Sequence, residues 1–410
     1  MHIKEDAMYI VEKAIHRVLP DEAVKQALQG KAFLNGKIYV VAAGKAAWQM
    51  AKAASDFLGD RIEKGVVVTK YDHVKADISK MDCYEAGHPV PDENSFLATQ
   101  KALDLVSNLH KEDTVLFLLS GGGSALFEKP RIPGKELQDI TQQLLACGAD
   151  IVEMNTIRKR LSMVKGGQFA KICEPAQVYS IVLSDILGDP LDMIASGPAY
   201  PDSSSCKDAL AIVEKYQLHL SEQAMFCLNQ ETPKELKNVT TMITGSVKNL
   251  CMEASLACKE LGYKPIVLTD QLACEAKEAG AFLASIAKSH QKEEESVAYI
   301  AGGETIVHLI GKGLGGRNQE LALAGAIGLS SCSNTALISV GSDGTDGPTD
   351  AAGGYVDQDT QRTLRDQGID IYDVLKNNDA YHALQKSDGL VITGPTGTNV
   401  NDVAILLIKR

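Results

Sequence analysis

The repeated succession of short apolar strand, glycine-containing turn and helix constrains this chain more than any other feature. KIYVVAAG (37–44) runs into KAAWQMAKAASDFL. TVLFLLSGGGSA (114–125) is a second strand and turn, followed after a loop by the helical stretch KELQDITQQLLACGA. QVYSIVLSD (177–185) is a third strand, ending in a loop of Gly, Pro and Asp. Near-continuous apolar strands suit a parallel sheet covered on both faces. Their alternation with helices argues for a doubly wound α/β architecture with right-handed connections.

A second series follows. VTTMITGS (239–246) leads to a helix, then KPIVLTD (264–270), then a long helix across ACEAKEAGAFLASIAKSH. SVAYIAGG (296–303) and TIVHLIG (305–311) read as adjacent strands, the second antiparallel because it alternates apolar and polar residues. RNQELALAGAIGL is a helix, and ALISV and VAILLIKR are strands. SEQAMFCLNQETPKELKN (221–238) has little apolar periodicity and reads as a junction. The expectation is two three-layer α/β/α domains, 1–235 with a mainly parallel Rossmann-like sheet and 236–410 with a mixed sheet. Their length supports this, because 410 residues exceed one ordinary core.

Composition excludes some functions. The formal net charge of −12 disfavours nucleic acid as a partner, since phosphate-backbone binding needs clustered positive charge. Nine scattered cysteines without CxxC read as reduced thiols of a cytoplasmic protein. The N-terminus lacks a signal-peptide core, and no apolar run reaches the roughly 18–20 residues of a membrane helix. The histidines show no zinc spacing.

In open α/β sheets ligands bind at the carboxyl ends of strands. Lys45, after Gly44 in AAGKAA, can reach an anion held at a helix N-terminus. The solvated-lysine alternative stands beside it. In SGGGSA, Gly121, Gly122 and Gly123 let backbone N–H groups turn toward an anion, with Ser120 and Ser124 adding hydroxyls. TIRKRLSMVKGG holds the densest basic cluster, including Arg158 and Lys165. Asp185 and Asp189 follow a buried strand, where a carboxylate suits Mg²⁺, a general base or a simple cap. In GGETIVHLIGKGLGGRNQE, the glycines at 311, 313 and 316 satisfy GxGxxG, but the acid expected about 20 residues on is missing. Arg317 and Asn318 enter the next helix, and arginine's planar fork grips phosphate or carboxylate. Finally, GSDGTDGPTDAAGG and TGPTGTNVND place Asp343, Asp346, Thr398, Asn399 and Asp402 in two polar strand-end loops.

Taken together, AAGKAA, AGHPVPDENS, SGGGSALF, EMNTIRKRLSMVKGGQ, SDILGDPLDMIASGP, GGETIVHLIGKGLGGRNQEL, GSDGTDGPTDAAGG and TGPTGTNVNDVAILL resemble the glycerate 2-kinases whose C-terminal half is the MOFRL domain. The likeness runs from residue 42 to the C-terminus. Arg160, Ser342 and Ala199 depart from the usual motif residues. The resemblance implies phosphorylation of D-glycerate at its 2-hydroxyl by ATP and Mg²⁺, in a cleft between the domains, by a monomer or homodimer. It implies Lys45 and Arg317 as catalytic residues; apart from the resemblance, one aspartate is expected to accept the hydroxyl proton, with Asp189 the choice. Ser120–Ser124, Gly313, Gly315, Gly316, Asn318, Thr398 and Asn399 would hold ATP. Arg158, Lys165 and Glu304 would hold glycerate, and Asp185, Asp343 and Asp346 the metal. An older reading of the family, NAD(P)H-dependent hydroxypyruvate reductase, is the alternative, and the missing ribose acid argues against it.

Overall fold

The structure, a computed structural model, describes residues 2–410. The chain forms two compact units. One comprises residues 20–184 and 189–244; the other comprises the residues up to Leu19, residues 185–188 and residues 245–410.

The first unit holds a six-stranded sheet of β1 (Ile38–Ala43), β2 (Ile62–Lys70), β3 (Met81–Ala86), β4 (Thr114–Leu119), β5 (Gln177–Leu183) and β6 (Val239–Gly245), in the order β3-β2-β1-β4-β5-β6. The pairings of β3, β2, β1, β4 and β5 are parallel. Alternate residues of one strand serve different cores. Val41 and Phe117 pack on one face, Val40 and Leu116 on the other. Both faces are therefore covered, which explains why these strands read as unbroken apolar runs. The strand order reverses direction between β1 and β4, the switch point where such sheets bind ligands.

The second unit has β7 (Lys264–Leu272), β8 (Val297–Gly303), β9 (Thr335–Gly341), β10 (Gly353–Asp357), β11 (Leu390–Val391) and β12 (Asp402–Ile408), in the order β11-β10-β9-β12-β8-β7. The sheet is mixed: β7 and β8 are parallel, whereas β12 runs antiparallel to both β8 and β9. Ile300, Ile338 and Ile405 face one core, and Tyr299, Leu337 and Leu406 the other. The register sets Gly303, Asp402 and Gly341 side by side, so the ends of β8 and β9 meet the start of β12.

Three local expectations change. The segment TIVHLIG is not a strand: Ile306 makes a single bridge to Glu275, and Leu309 and Ile310 stand in solvent. VTTMITG, expected to open the second sheet, forms β6 of the first. Its approach is pinned by Asn238, whose side chain donates to the Ala170 and Ala176 carbonyls at 3.0 and 3.1 Å. The first helix, Ile3–Arg17, belongs to the second unit. Its Ile10, Val11 and Ala14 pack with Leu250, Ala254 and Cys258. Buried Asp6 accepts from the Tyr263 hydroxyl at 2.7 Å and the Lys409 ammonium at 2.6 Å. Among the described residues, no helix is long and apolar enough to cross a membrane.

Candidate active site

At the switch point of the first unit, the loops after β1 and β4 are stitched together. The Lys45 N–H donates to the Gly121 carbonyl at 2.9 Å, and the Ala46 N–H donates to Ser120 Oγ at 3.0 Å. Ser120 is thus a buried fastener. Gly122 adopts φ +85°, a left-handed turn that a side chain would resist, and opens the short helix Gly123–Leu126. The Lys45 side chain is exposed and, among the described residues, makes no hydrogen bond or ion pair. It lies with His88 beside Gly122: a Cβ added there would come within 3.1 Å of the Lys45 stem and 3.0 Å of the imidazole. Burial, then the charge of Lys45, lowers the His88 pKa, so the ring stays neutral at physiological pH.

Behind this turn lie two of the basic residues expected to hold substrate. Arg158 Nη2 and Lys165 Nζ both donate to the Ser124 carbonyl, at 3.1 and 2.8 Å. Lys165 is fully buried, and its Nζ also lies 3.4 Å from the Phe127 carbonyl and 3.3 Å from the Glu128 carboxylate. Among the described residues, neither Glu128 oxygen has a partner in hydrogen-bond geometry. Burial pulls the Lys165 pKa down to about 8. Lys165 therefore supports the turn from within and does not face a ligand. Arg160 is likewise buried, held by Asp202, Ser204 and the Thr156 carbonyl. Asp189 has φ +51° and a buried Oδ1 without a hydrogen-bond partner among the described residues.

In the second unit, Arg317 begins the helix Arg317–Leu329. Its Nε and Nη2 donate to the two Asp402 oxygens at 2.6 and 3.1 Å, and its Nη1 to Glu304 at 2.7 Å. Burial works against its charge, yet Asp402 and Glu304 hold its pKa above the ordinary value. Burial pushes the Asp402 carboxyl up to about 6, against the opposing pull of Arg317. Asp346 caps the same helix, accepting from the Asn318 and Gln319 N–H groups at 3.1 and 2.9 Å. Both its oxygens are engaged, which removes it as a convenient metal ligand. Burial raises its pKa while those amides oppose the rise. Asp343 accepts from the Thr345 N–H at 3.0 Å through Oδ1, and among the described residues its Oδ2 takes no hydrogen bond. No cluster of three or more His, Cys, Asp or Glu with metal-binding geometry occurs among the described residues. A single carboxylate is still compatible with Mg²⁺, which takes one or two carboxylates plus phosphate oxygens.

Other expected ligand contacts have structural partners. Asn318 is buried and bonded to Asp346 and Ser339. Thr398 is buried and donates to the Val18 carbonyl at 3.0 Å, while Asn399 stays exposed and its Oδ1 accepts from the Asn401 N–H. Gly313 packs against Asp379, and Gly316 against Asp346. Gly315, Gly316, Arg317 and Asp343 do border a cavity of about 520 Å³. Asp185 falls in the short stretch 185–188 grouped with this unit. From sequence alone no specific role falls to His88, Glu128, Glu320, Asn378 or Asp402. Only Asp402 carried a usable signal, an acid at the end of a polar loop just before an apolar strand.

Fold and loops together define a protein of two α/β units, each with polar strand-end loops, one set at a Rossmann-type switch point and one at the ends of β8, β9 and β12 of the mixed sheet. Residues 6–229 match the model of a domain of unknown function (DUF4147), and residues 297–402 match the MOFRL family. D-glycerate 2-kinase of Thermotoga maritima is 54% identical over 99% of this chain and 98% of its own length. Glycerate 2-kinase of Pyrococcus horikoshii is 40% identical over 100% and 98%. The crystal structure of glycerate kinase from T. maritima superposes with a TM-score of 0.94 at 53% identity, covering 99% of each chain. A protein from P. horikoshii OT3 superposes with 0.96 at 40% identity, covering 100% of this chain and 99% of its own. The chain belongs to this DUF4147–MOFRL family, the glycerate kinases.

Proposed function

We propose that the chain transfers the γ-phosphoryl group of ATP to the 2-hydroxyl of D-glycerate, giving 2-phosphoglycerate and ADP. Among the geometric features, the one that supports this most is the unpaired Lys45 ammonium beside the Gly121–Ser124 turn. An exposed lysine beside a glycine-rich turn, at the switch point of a doubly wound sheet, suits an anion that arrives and leaves. Arg317 supplies a second cation, oriented by Asp402 and Glu304 before any ligand binds.

The substrate hydroxyl oxygen attacks the γ-phosphorus as the bond to the ADP oxygen breaks. Phosphoryl transfer asks mainly for positioning and charge stabilisation. Lys45 in the first unit and Arg317 in the second are each suited to stabilise negative charge on a phosphoryl group. Asp189, whose buried Oδ1 has no hydrogen-bond partner among the described residues, is assigned the hydroxyl proton. Mg²⁺ supplies charge neutralisation at the phosphates when bound, and Asp343 is the residue that would share it. Cytoplasmic location follows from the reduced-thiol reading.

A reductase reading has a weaker footing here. Gly311 and Gly313 of the GxGxxG string press on the segment 377–379: a Cβ on Gly311 would sit 2.2 Å from the Asn377 carbonyl oxygen. These glycines serve chain-to-chain packing, whereas a dinucleotide fingerprint needs them open to a pyrophosphate. The test is one assay of purified protein with D-glycerate, ATP and Mg²⁺. Glycerate-dependent ADP release, with phosphorus NMR placing the phosphate on the second carbon, is expected. NADH oxidation driven by hydroxypyruvate, without ADP formation, would overturn the reading.

A further inference from the structure

The cavity of the second unit has a chemical character that the phosphoryl-transfer residues do not explain. Its volume, about 520 Å³, lies within the roughly 300–1,000 Å³ of small-molecule sites. A three-carbon acid would leave most of it empty. One wall is apolar, formed by Ile306, Val307 and Leu309. Leu309 is 82% exposed and its neighbour Ile310 77%, an unusual display for aliphatic side chains next to a charged site.

The cavity lining also includes Glu320, which is only 3% exposed. Its Oε2 accepts from Asn378 Nδ2 at 3.2 Å, and its Oε1 accepts no hydrogen bond from the described residues. Asn378 links this carboxyl to the apolar wall. Its Oδ1 accepts from the N–H groups of Ile310 and Gly311, both at 2.9 Å, and its Nδ2 also donates to the His308 carbonyl at 3.2 Å. Asn378 has φ +53°, a left-handed conformation that asparagine tolerates better than most residues. One buried amide thus fixes the spacing between an apolar face and a free carboxyl oxygen.

A flat, apolar ring bearing an exocyclic amine matches that pairing. We propose that this cavity seats the adenine base of the nucleotide, with Ile306 and Leu309 against the ring and Glu320 Oε1 accepting from its amine. The proposal rests on the kinase reading above and adds the site that selects the nucleotide. A base with a carbonyl in place of the amine would set two acceptors against each other and leave both unpaired.

The test uses the full chain with two variants, Leu309→Asp and Glu320→Gln. Leu309 is so exposed that its replacement leaves the core untouched. ADP affinity is measured by calorimetry without glycerate. KM for ATP, KM for glycerate and the ATP-to-ITP ratio of kcat/KM are measured at steady state. Leu309→Asp weakens ADP binding and raises KM for ATP by roughly tenfold or more, as loss of an apolar contact does, with KM for glycerate unchanged. The wild-type chain prefers ATP to ITP by roughly tenfold or more, and Glu320→Gln, whose amide also donates, narrows that preference. Unchanged ADP affinity in Leu309→Asp, a rise in KM for glycerate alone, or equal use of ATP and ITP by the wild type overturns the assignment. A wild-type chain without glycerate-dependent ADP release overturns the kinase reading instead, and the ADP titrations still report on the cavity.

Discussion

The two units present their cations in opposite ways. Lys45 stands free on a turn whose backbone is braced from behind by Arg158 and Lys165. Arg317 is held in front of its sheet by two carboxylates, one of them bidentate. The first unit therefore fixes the backbone and leaves the charge exposed, without a partner among the described residues. The second fixes the charge itself. The difference follows side-chain chemistry: an ammonium is a compact point charge on a flexible stem, whereas a guanidinium fork matches a carboxylate edge and stays charged. A ligand meeting Lys45 replaces water. A ligand meeting Arg317 must share it with Asp402 and Glu304, or displace one of them.

The largest effect is expected behind the first turn. Lys165→Met should lower folding stability by about 3–5 kcal/mol, because it leaves Glu128 as an uncompensated buried charge. The double change Lys165→Met with Glu128→Leu should recover most of that loss, as read by urea denaturation. If the single variant is as stable as the parent, Lys165 is not the brace described here, and the expected role in substrate binding returns.

Next come the two cations. Lys45→Ala and Arg317→Ala should each lower kcat by about 10²-fold or more, the loss typical of a transition-state donor. The comparison is sharpened by swapping the cations. Arg317→Lys should stay near the alanine level, since one ammonium cannot satisfy both Asp402 oxygens and Glu304. Lys45→Arg should keep more activity than Lys45→Ala. Near-normal turnover in Arg317→Lys would mean that fixed orientation is unimportant.

The smallest effect concerns the clamp on Arg317. Asp402→Asn should cost roughly tenfold in kcat, about the worth of one charge-assisted hydrogen bond. In the parent, kcat should fall with acid as Asp402 protonates near pH 6, and that limb should vanish in the variant. Stability runs the other way. The folded pKa of Asp402 lies above its ordinary 3.8, so its contribution is fully present below pH 3.8 and is lost as pH rises through about 6. An unchanged acid limb in Asp402→Asn would assign that titration to another group.

Much of this was legible along the chain. The apolar runs of β1, β4 and β5 announced a sheet covered on both faces, and the glycines that follow β1 and β4 marked the switch-point loops. Lys45 stood out because a cation directly after a glycine at a strand end can reach an anion at a helix N-terminus, with a solvated lysine as the alternative. Lys165 shows the limit. In a row of basic residues, those on solvent and those in the core look alike, because burial is a property of the neighbouring elements. The same holds for the aspartates of GSDGTDGPTDAAGG: Asp346 became a helix cap and Asp343 kept an open oxygen, a division set by where the helix Arg317–Leu329 begins.

By itself, then, the sequence determined the two-sheet plan and the polar loops at strand ends, because strand burial and turn chemistry are local. Only the tertiary structure decided that the first helix closes the second unit, that β6 completes the first sheet, and that Asp402 and Glu304 meet across the start of the helix Arg317–Leu329. It also decided that Glu320 and Asn378 shape a cavity beside an apolar wall. Each of these depends on contacts between residues far apart in the chain, and no periodicity or motif within one segment encodes the partner it will find.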